Sequence, residues 1–202
     1  MAWYNKSMKL YKLTDHEGQT LGQTQWGENV EHTRSGAKML CSPGWLHAYK
    51  SPALAVLMAP LFMYDGCGSQ LWSAVGEVGA DNGLIVGCYT LRTMKKIRKP
   101  RLTLSEHIRF GILCALNSTS SAVPEFKTWA ESWLSSADRS CETASKLQQR
   151  GISGSAYHAV MSVVWSENDD RRSRSYAAHA AYAAHEEGVK NFKALAQSAL
   201  DK

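Results

Sequence analysis

The sequence is short of the features that announce a known chemistry. Its five cysteines, Cys41, Cys67, Cys88, Cys114 and Cys141, lie far apart and form no CxxC pair. That spacing supplies no metal-ligand set, and an odd count without a secretion leader suggests reduced thiols. Gly66-Cys67-Gly68 and Gly76-Glu77-Val78-Gly79 lack the lysine and helix start that a phosphate-cradling loop needs. No G-x-S-x-G elbow occurs, which removes the hydrolase arrangement built on it. No DNA- or RNA-reading motif is present, so base-specific readout is not expected. The opening MAWYNKSMKLYK has no apolar h-region, so secretion is not expected either. The longest nearly apolar run, Ala53 to Tyr64, is too short for a bilayer span and contains Pro60. The expected protein is soluble and cytoplasmic, with no metal, no membrane and no cofactor.

What is present is enough for an ordered core. The chain has 202 residues, 44% of them apolar, and seven tryptophans. That length fits one domain, or a domain with an appended helical lobe. A net charge of +5 is only modestly basic and favours acidic partners weakly.

The stretch from Gly44 to Pro60 organises the rest. Trp45 to Tyr49 reads as a strand, with Trp45, His47 and Tyr49 on one face and Leu46 and Ala48 on the other. Ser51 is placed to cap a helix, and Pro52 suits its first position, where a missing N–H costs nothing. Before this unit, Lys9 to Thr14 alternates like a strand, and Gln19 to Gln25 can return as its hairpin partner. After it come a loop at Asp65 to Ser69, a strand at Leu71 to Val78, a turn at Gly79 to Gly83 and a strand at Leu84 to Met94. The character then changes. Thr103 and Glu106 have capping-box spacing ahead of a helix reaching about Leu116. A Ser-rich linker follows at Asn117 to Val123, then helices at 125–134 and 137–150, and a segment at 156–165 that reads as a helix or, less favoured, a buried strand. A charged connector, Glu167 to Ser175, leads to an Ala-rich helix over 176–200. The expected fold is α+β: a small, mostly antiparallel sheet with one covering helix, then a helical C-terminal lobe. The division is 1–102, a β-rich domain with the central strand-turn-helix unit, and 103–202, a helical lobe packed on it.

Two constellations carry functional readings. His47 and Tyr49 share a strand face beside Trp45, where they can stack a base or nicotinamide. The plainer alternative is a strand face packed under a helix. The stretch 92–101 carries six basic residues and no acid: Arg92, Lys95, Lys96, Arg98, Lys99 and Arg101. It reads as an electrostatic footprint for an acidic surface or a phosphate backbone, or as a sheet edge protected by lysines. Exposed aromatics such as Trp3, Tyr4 and Trp26 are candidate anchors. His179 and His185, six apart, fall on nearly opposite sides of a helix and cannot chelate together. Cys67 is a loop thiol with no obvious histidine partner.

The motifs Gly44 to Pro60, Leu71 to Glu77, Gly83 to Cys88 and Trp129 to Ser135 resemble a family of accessory proteins of tailed bacteriophages and prophages. Its members share a G-L-H-A-Y…P-x-L-A core and Ala-rich helical tails. The resemblance covers residues 9 to 135 and implies a phage accessory gene rather than a known catalytic activity. Such genes act on host takeover or host defence, so the leading expectation is a binder and inhibitor of a host protein complex, such as an immune or nucleic-acid-processing machine, in the host cytoplasm, with the basic stretch 92–101 complementing an acidic surface on it. A second resemblance is to ADP-ribosyltransferase-like folds, through the Gly44 to Ala55 unit after an early strand. It implies an enzyme using NAD, with His47, Tyr49 and Glu106 (or Glu77) as site residues. A structural virion component is a third expectation.

Overall fold

The computed structural model describes residues 8–20, 22–36, 39–62 and 68–201. The chain divides into two compact units, Met1–Arg101 and Leu102–Lys202. The architecture is α+β, with antiparallel sheets in the first unit and helices making up the second.

The first unit is built on two long strands, β6 (Gln70–Asp81) and β7 (Val86–Ile97), joined by a tight turn. The turn closes because the Asn82 side chain accepts the N–H groups of Leu84 and Ile85, while Asp81 accepts that of Gly83. β1 (Met8–Thr14) pairs antiparallel with β6, and β4 (Glu31–Thr33) pairs with β7. β5 (Leu46–Ala48) also lies on β7, and a Tyr11–Tyr49 bridge carries its end onto the free edge of β1. The sheet therefore curls back on itself. Irregular register between β6 and β7 at Ser73/Ala74 and around Val78 supplies the extra twist that such curling needs. The inner face holds one apolar cluster: Leu10, Trp26, Leu46, Ala48, Ala74, Val86, Cys88 and Leu91.

β5 leads directly into α1 (Pro52–Met58), the covering helix. Ser51 Oγ accepts the Leu54 N–H at 3.1 Å, and Pro52 occupies the first turn, as the sequence indicates. Gln19 to Gln25 does not return as one strand along β1. It forms its own hairpin, β2 (Gln19–Thr20) with β3 (Thr24–Gln25), because Gly22 and Gln23 turn the chain with positive φ. The Asp65-to-Ser69 loop and Cys67 lie largely outside the described residues, as do Trp3 and Tyr4.

The second unit centres on α2 (Leu104–Leu116), which packs against the third, fifth, sixth and seventh helices of the chain. Its capping box forms: Thr103 Oγ1 accepts the Glu106 N–H, and the Glu106 carboxylate accepts the Thr103 N–H at 2.6 Å. α3 (Pro124–Leu134), α4 (Cys141–Gln148) and α5 (Gly154–Val164) add Phe126, Trp129, Trp133, Leu147 and Val160 to its core. The charged connector is a turn only as far as Asn168 and is helical from Asp170. Asp169 caps α6 (Asp170–Glu186) by accepting the Arg172 N–H, and acids at that end suit the helix dipole. The Ala-rich helix does not run unbroken to Leu200: Gly188, at φ +97°, ends the first segment, and α7 (Phe192–Leu200) follows. Buried alanines 177, 178, 180, 181 and 184 let α6 pack closely; the Ala177 Cα would lie 3.1 Å from a Cβ on Gly111 of α2.

Candidate functional site

A cavity of about 510 Å³ opens in the first unit, between β1, the β2–β3 hairpin and the segment leading into β5. Its walls include Lys12, Trp26, Arg34, Trp45, His47 and Tyr49. Alternation along β1 places Lys12 on the same face as Leu10, the inward face. Only 7% of its surface remains exposed. Its ammonium donates to the His47 carbonyl at 2.7 Å and sits 4.9 Å from the centre of the Trp26 ring. Burial brings the Lys12 pKa from its ordinary 10.5 down to about 8; the neighbouring Cys88 opposes the shift and the Arg34 charge adds to it. Cys88 gives no counter-ion, since burial pushes its thiol up to about 12. Among the described residues the walls carry no carboxylate.

The sequence places Trp45, His47 and Tyr49 on one face, and all three line this cavity. The His47 Nε2–H donates to the Leu40 carbonyl, which fixes the tautomer and leaves Nδ1 as an acceptor. Burial holds the His47 pKa below its ordinary value; the Leu40 carbonyl opposes this and the Lys12 cation reinforces it. His47 is thus a neutral ring. Trp45 packs against Tyr89 with ring centroids 5.1 Å apart and planes tilted by 41°. The indole needs bare backbone beneath it: a Cβ on Gly79 or Gly87 would come within 2.6 or 2.8 Å of its ring. Trp26 is not an exposed anchor. It is 3% exposed, inside the core cluster, with its Nε1–H bonded to Thr20 Oγ1 at 3.1 Å.

Glu106 belongs to the second unit, where its carboxylate is engaged by the Thr103 cap. Glu77 is exposed on β6, opposite Thr90. Neither lines the cavity.

The six basic residues of 92–101 separate into two groups. Arg92 pairs with Glu31 across β4 and β7 at 2.9 Å, and Lys99 donates to Ser69 Oγ at 2.6 Å. Lys95, Lys96, Arg98 and Arg101 are exposed, and among the described residues none is in an ion pair. Met94, 36% exposed, is the extra residue where β7 slips against β6.

In the second unit, Glu187 gathers donors from the short 3-10 turn Thr119–Ala122 after α2 and from the start of α5. It accepts the Ser155 N–H at 2.8 Å, the Ser120 N–H at 3.3 Å and the hydroxyls of Thr119, Ser120 and Ser155 at 3.0–3.2 Å. Burial alone would raise its pKa, but these bonds, with one from Ser118, hold the carboxyl below its ordinary value. His179 stacks on His158 at 5.5 Å and bonds the Ser175 carbonyl. No group of three or more metal-ligating side chains exists among the described residues, and no described helix is long and apolar enough to cross a membrane. Comparison with family profiles, with curated proteins and with solved structures finds no match to this chain.

Sequence reasoning did not find Lys12 or Arg34. A signal was present in KLYKLT: Lys12 shares strand parity with Leu10, so a core that takes Leu10 also receives Lys12.

Proposed function

We propose that the protein is a non-enzymatic phage accessory factor that binds a host protein complex through an acidic surface on that complex and blocks it in the host cytoplasm. One observation carries this reading. The exposed end of β7 and the segment after it present Lys95, Lys96, Arg98 and Arg101 with no acid from 92 to 101. Such a cluster steers an acidic partner into contact and favours it by several kT of surface potential. A strand end with an exposed methionine beside these cations adds a small apolar contact.

The test is affinity purification from phage-infected cells with wild type and with Lys95→Glu, Lys96→Glu and Arg98→Glu combined. A host complex recovered by wild type at low salt, weakened by added salt and lost with the triple variant, supports the reading. Equal recovery by a folded triple variant refutes it. NAD-dependent transfer through His47, Tyr49 and Glu106 is disfavoured. The His47 Nε2 is already bonded, Glu106 serves as a helix cap, and the cavity walls hold no described carboxylate to stabilise an oxocarbenium ion. Incubation with labelled NAD and host lysate checks this: label transferred by wild type and not by His47→Ala would restore the enzyme.

A further inference from the structure

We propose that the cavity of the first unit is a binding site for a small anionic ligand with a flat apolar body, its acidic group meeting Lys12 and Arg34. This site is separate from the basic strand end and does not depend on the partner reading above. Three observations converge on it.

The first is the state of Lys12. A buried ammonium has three N–H donors and a desolvation cost that only an acceptor or a counter-ion offsets. Among the described residues one acceptor reaches it, the His47 carbonyl. Cys88 is neutral and no described wall residue is acidic. An interior that needed only to pack would hold methionine or leucine here, so the cation is retained against its cost. An anion entering the cavity supplies the missing partner.

The second is Arg34. It is exposed, on the segment after β4, and also lines the cavity. Its Nη1 donates to the Thr33 carbonyl at 3.0 Å and its Nη2 reaches Thr24 Oγ1 at 3.4 Å, so its donors are held near the hairpin without a described carboxylate partner. The Arg34 charge is felt at Lys12, so the two cations make the space beside them favourable to an anion.

The third is the character of the remaining wall. Trp26, Trp45, Tyr49 and Ile85 present rings and an aliphatic side chain to a volume of about 510 Å³, a size suited to a small organic molecule rather than to a bare inorganic ion. The neutral His47 adds an acceptor and no charge.

The probe pair is 1-anilinonaphthalene-8-sulfonate and N-phenyl-1-naphthylamine, which share one aromatic body and differ in the sulfonate. Each is titrated into the full chain, with dye fluorescence and calorimetric stoichiometry as readouts. The expected result is one-to-one binding of the sulfonate at least tenfold tighter than the neutral amine. Lys12→Met is expected to weaken the sulfonate tenfold or more, and Arg34→Gln severalfold, with little change for the amine. The triple charge reversal at Lys95, Lys96 and Arg98 should leave dye affinity unchanged, which keeps failure of this site distinct from failure of the partner reading. Equal affinity for the two dyes, no saturable one-to-one binding of the sulfonate, or full affinity in Lys12→Met overturns the proposal. Circular dichroism verifies the fold of each variant; if Lys12→Met does not fold, Arg34→Gln at the exposed rim decides, and unchanged sulfonate affinity there overturns it.

Discussion

Lys12 in the β-unit and Glu187 in the helical unit are both charged groups drawn into protein, and their surroundings differ in kind. Glu187 is met by two backbone N–H groups and by the hydroxyls of Ser118, Thr119, Ser120 and Ser155, and its pKa moves in the direction that favours the charge. Lys12 is met by one carbonyl and one indole face, and its pKa moves in the direction that disfavours the charge. A charge surrounded by donors is part of the scaffold. A charge left short of partners in a cavity is a cost to the fold, and its retention points to use.

The contrast breaks most visibly at Glu187. Replacing it with alanine strands the Ser155 N–H beside buried hydroxyls, while the Ser120 N–H keeps Ser118 Oγ, and should cost about 1–3 kcal/mol, read as a lower urea midpoint by far-ultraviolet circular dichroism. A loss under 0.5 kcal/mol would reduce the cluster to ornament.

Lys12→Met should move stability the other way. A pKa displacement from 10.5 to about 8 corresponds to about 3 kcal/mol. Losing the His47 bond and the Trp26 contact offsets about half of that. A net gain of about 1–2 kcal/mol is expected near pH 7. The pH dependence has a definite sign. Between about pH 8 and 10.5 the unfolded chain keeps the Lys12 proton while the folded chain has lost it, so wild-type stability rises across that window. The difference between wild type and Lys12→Met should shrink over the same window. A constant difference from pH 7 to 10.5 would show that burial does not disfavour the cation.

Smaller effects sharpen the comparison. Glu106→Ala removes one half of the α2 capping box and should cost about 1 kcal/mol with no effect on dye binding, since Glu106 belongs to the second unit. The combined reversal of Lys95, Lys96 and Arg98 should change unfolding free energy by less than about 0.5 kcal/mol, because these are solvated cations with no described ion pairs. Its expected effect is on partner recovery alone.

Local chemistry made much of the fold legible. The Ser51-Pro52 helix start and the Thr103/Glu106 box each follow from side chains acting within four residues, and each forms. The turn read at Gly79 to Gly83 falls later, at Asn82 to Ile85, because Gly79 to Asp81 stay paired in β6 and Asn82 closes the chain. Trp45, His47 and Tyr49 line the cavity, but so does Leu46, which alternation puts on the opposite face, so the wall does not follow from strand parity alone. What the sequence concealed depends on residues far apart. Lys12 faces inward because β5 folds back onto the free edge of β1, a closure set by Tyr49 meeting Tyr11. Trp26 is buried because its hairpin folds over that interior rather than extending β1. The break in the Ala-rich tail turns on Gly188 and on Glu187 being held by Ser120 and Ser155, contacts that no periodicity reveals.

Nuclear magnetic resonance titration of the Lys12 side chain in the full chain, assigned by its absence in Lys12→Met, tests the central claim most directly. The account predicts a pKa near 8 in the free protein and an upward shift when 1-anilinonaphthalene-8-sulfonate is bound, because an anion beside the ammonium favours its charged form. A value near 10.5 that does not respond to the dye would contradict it.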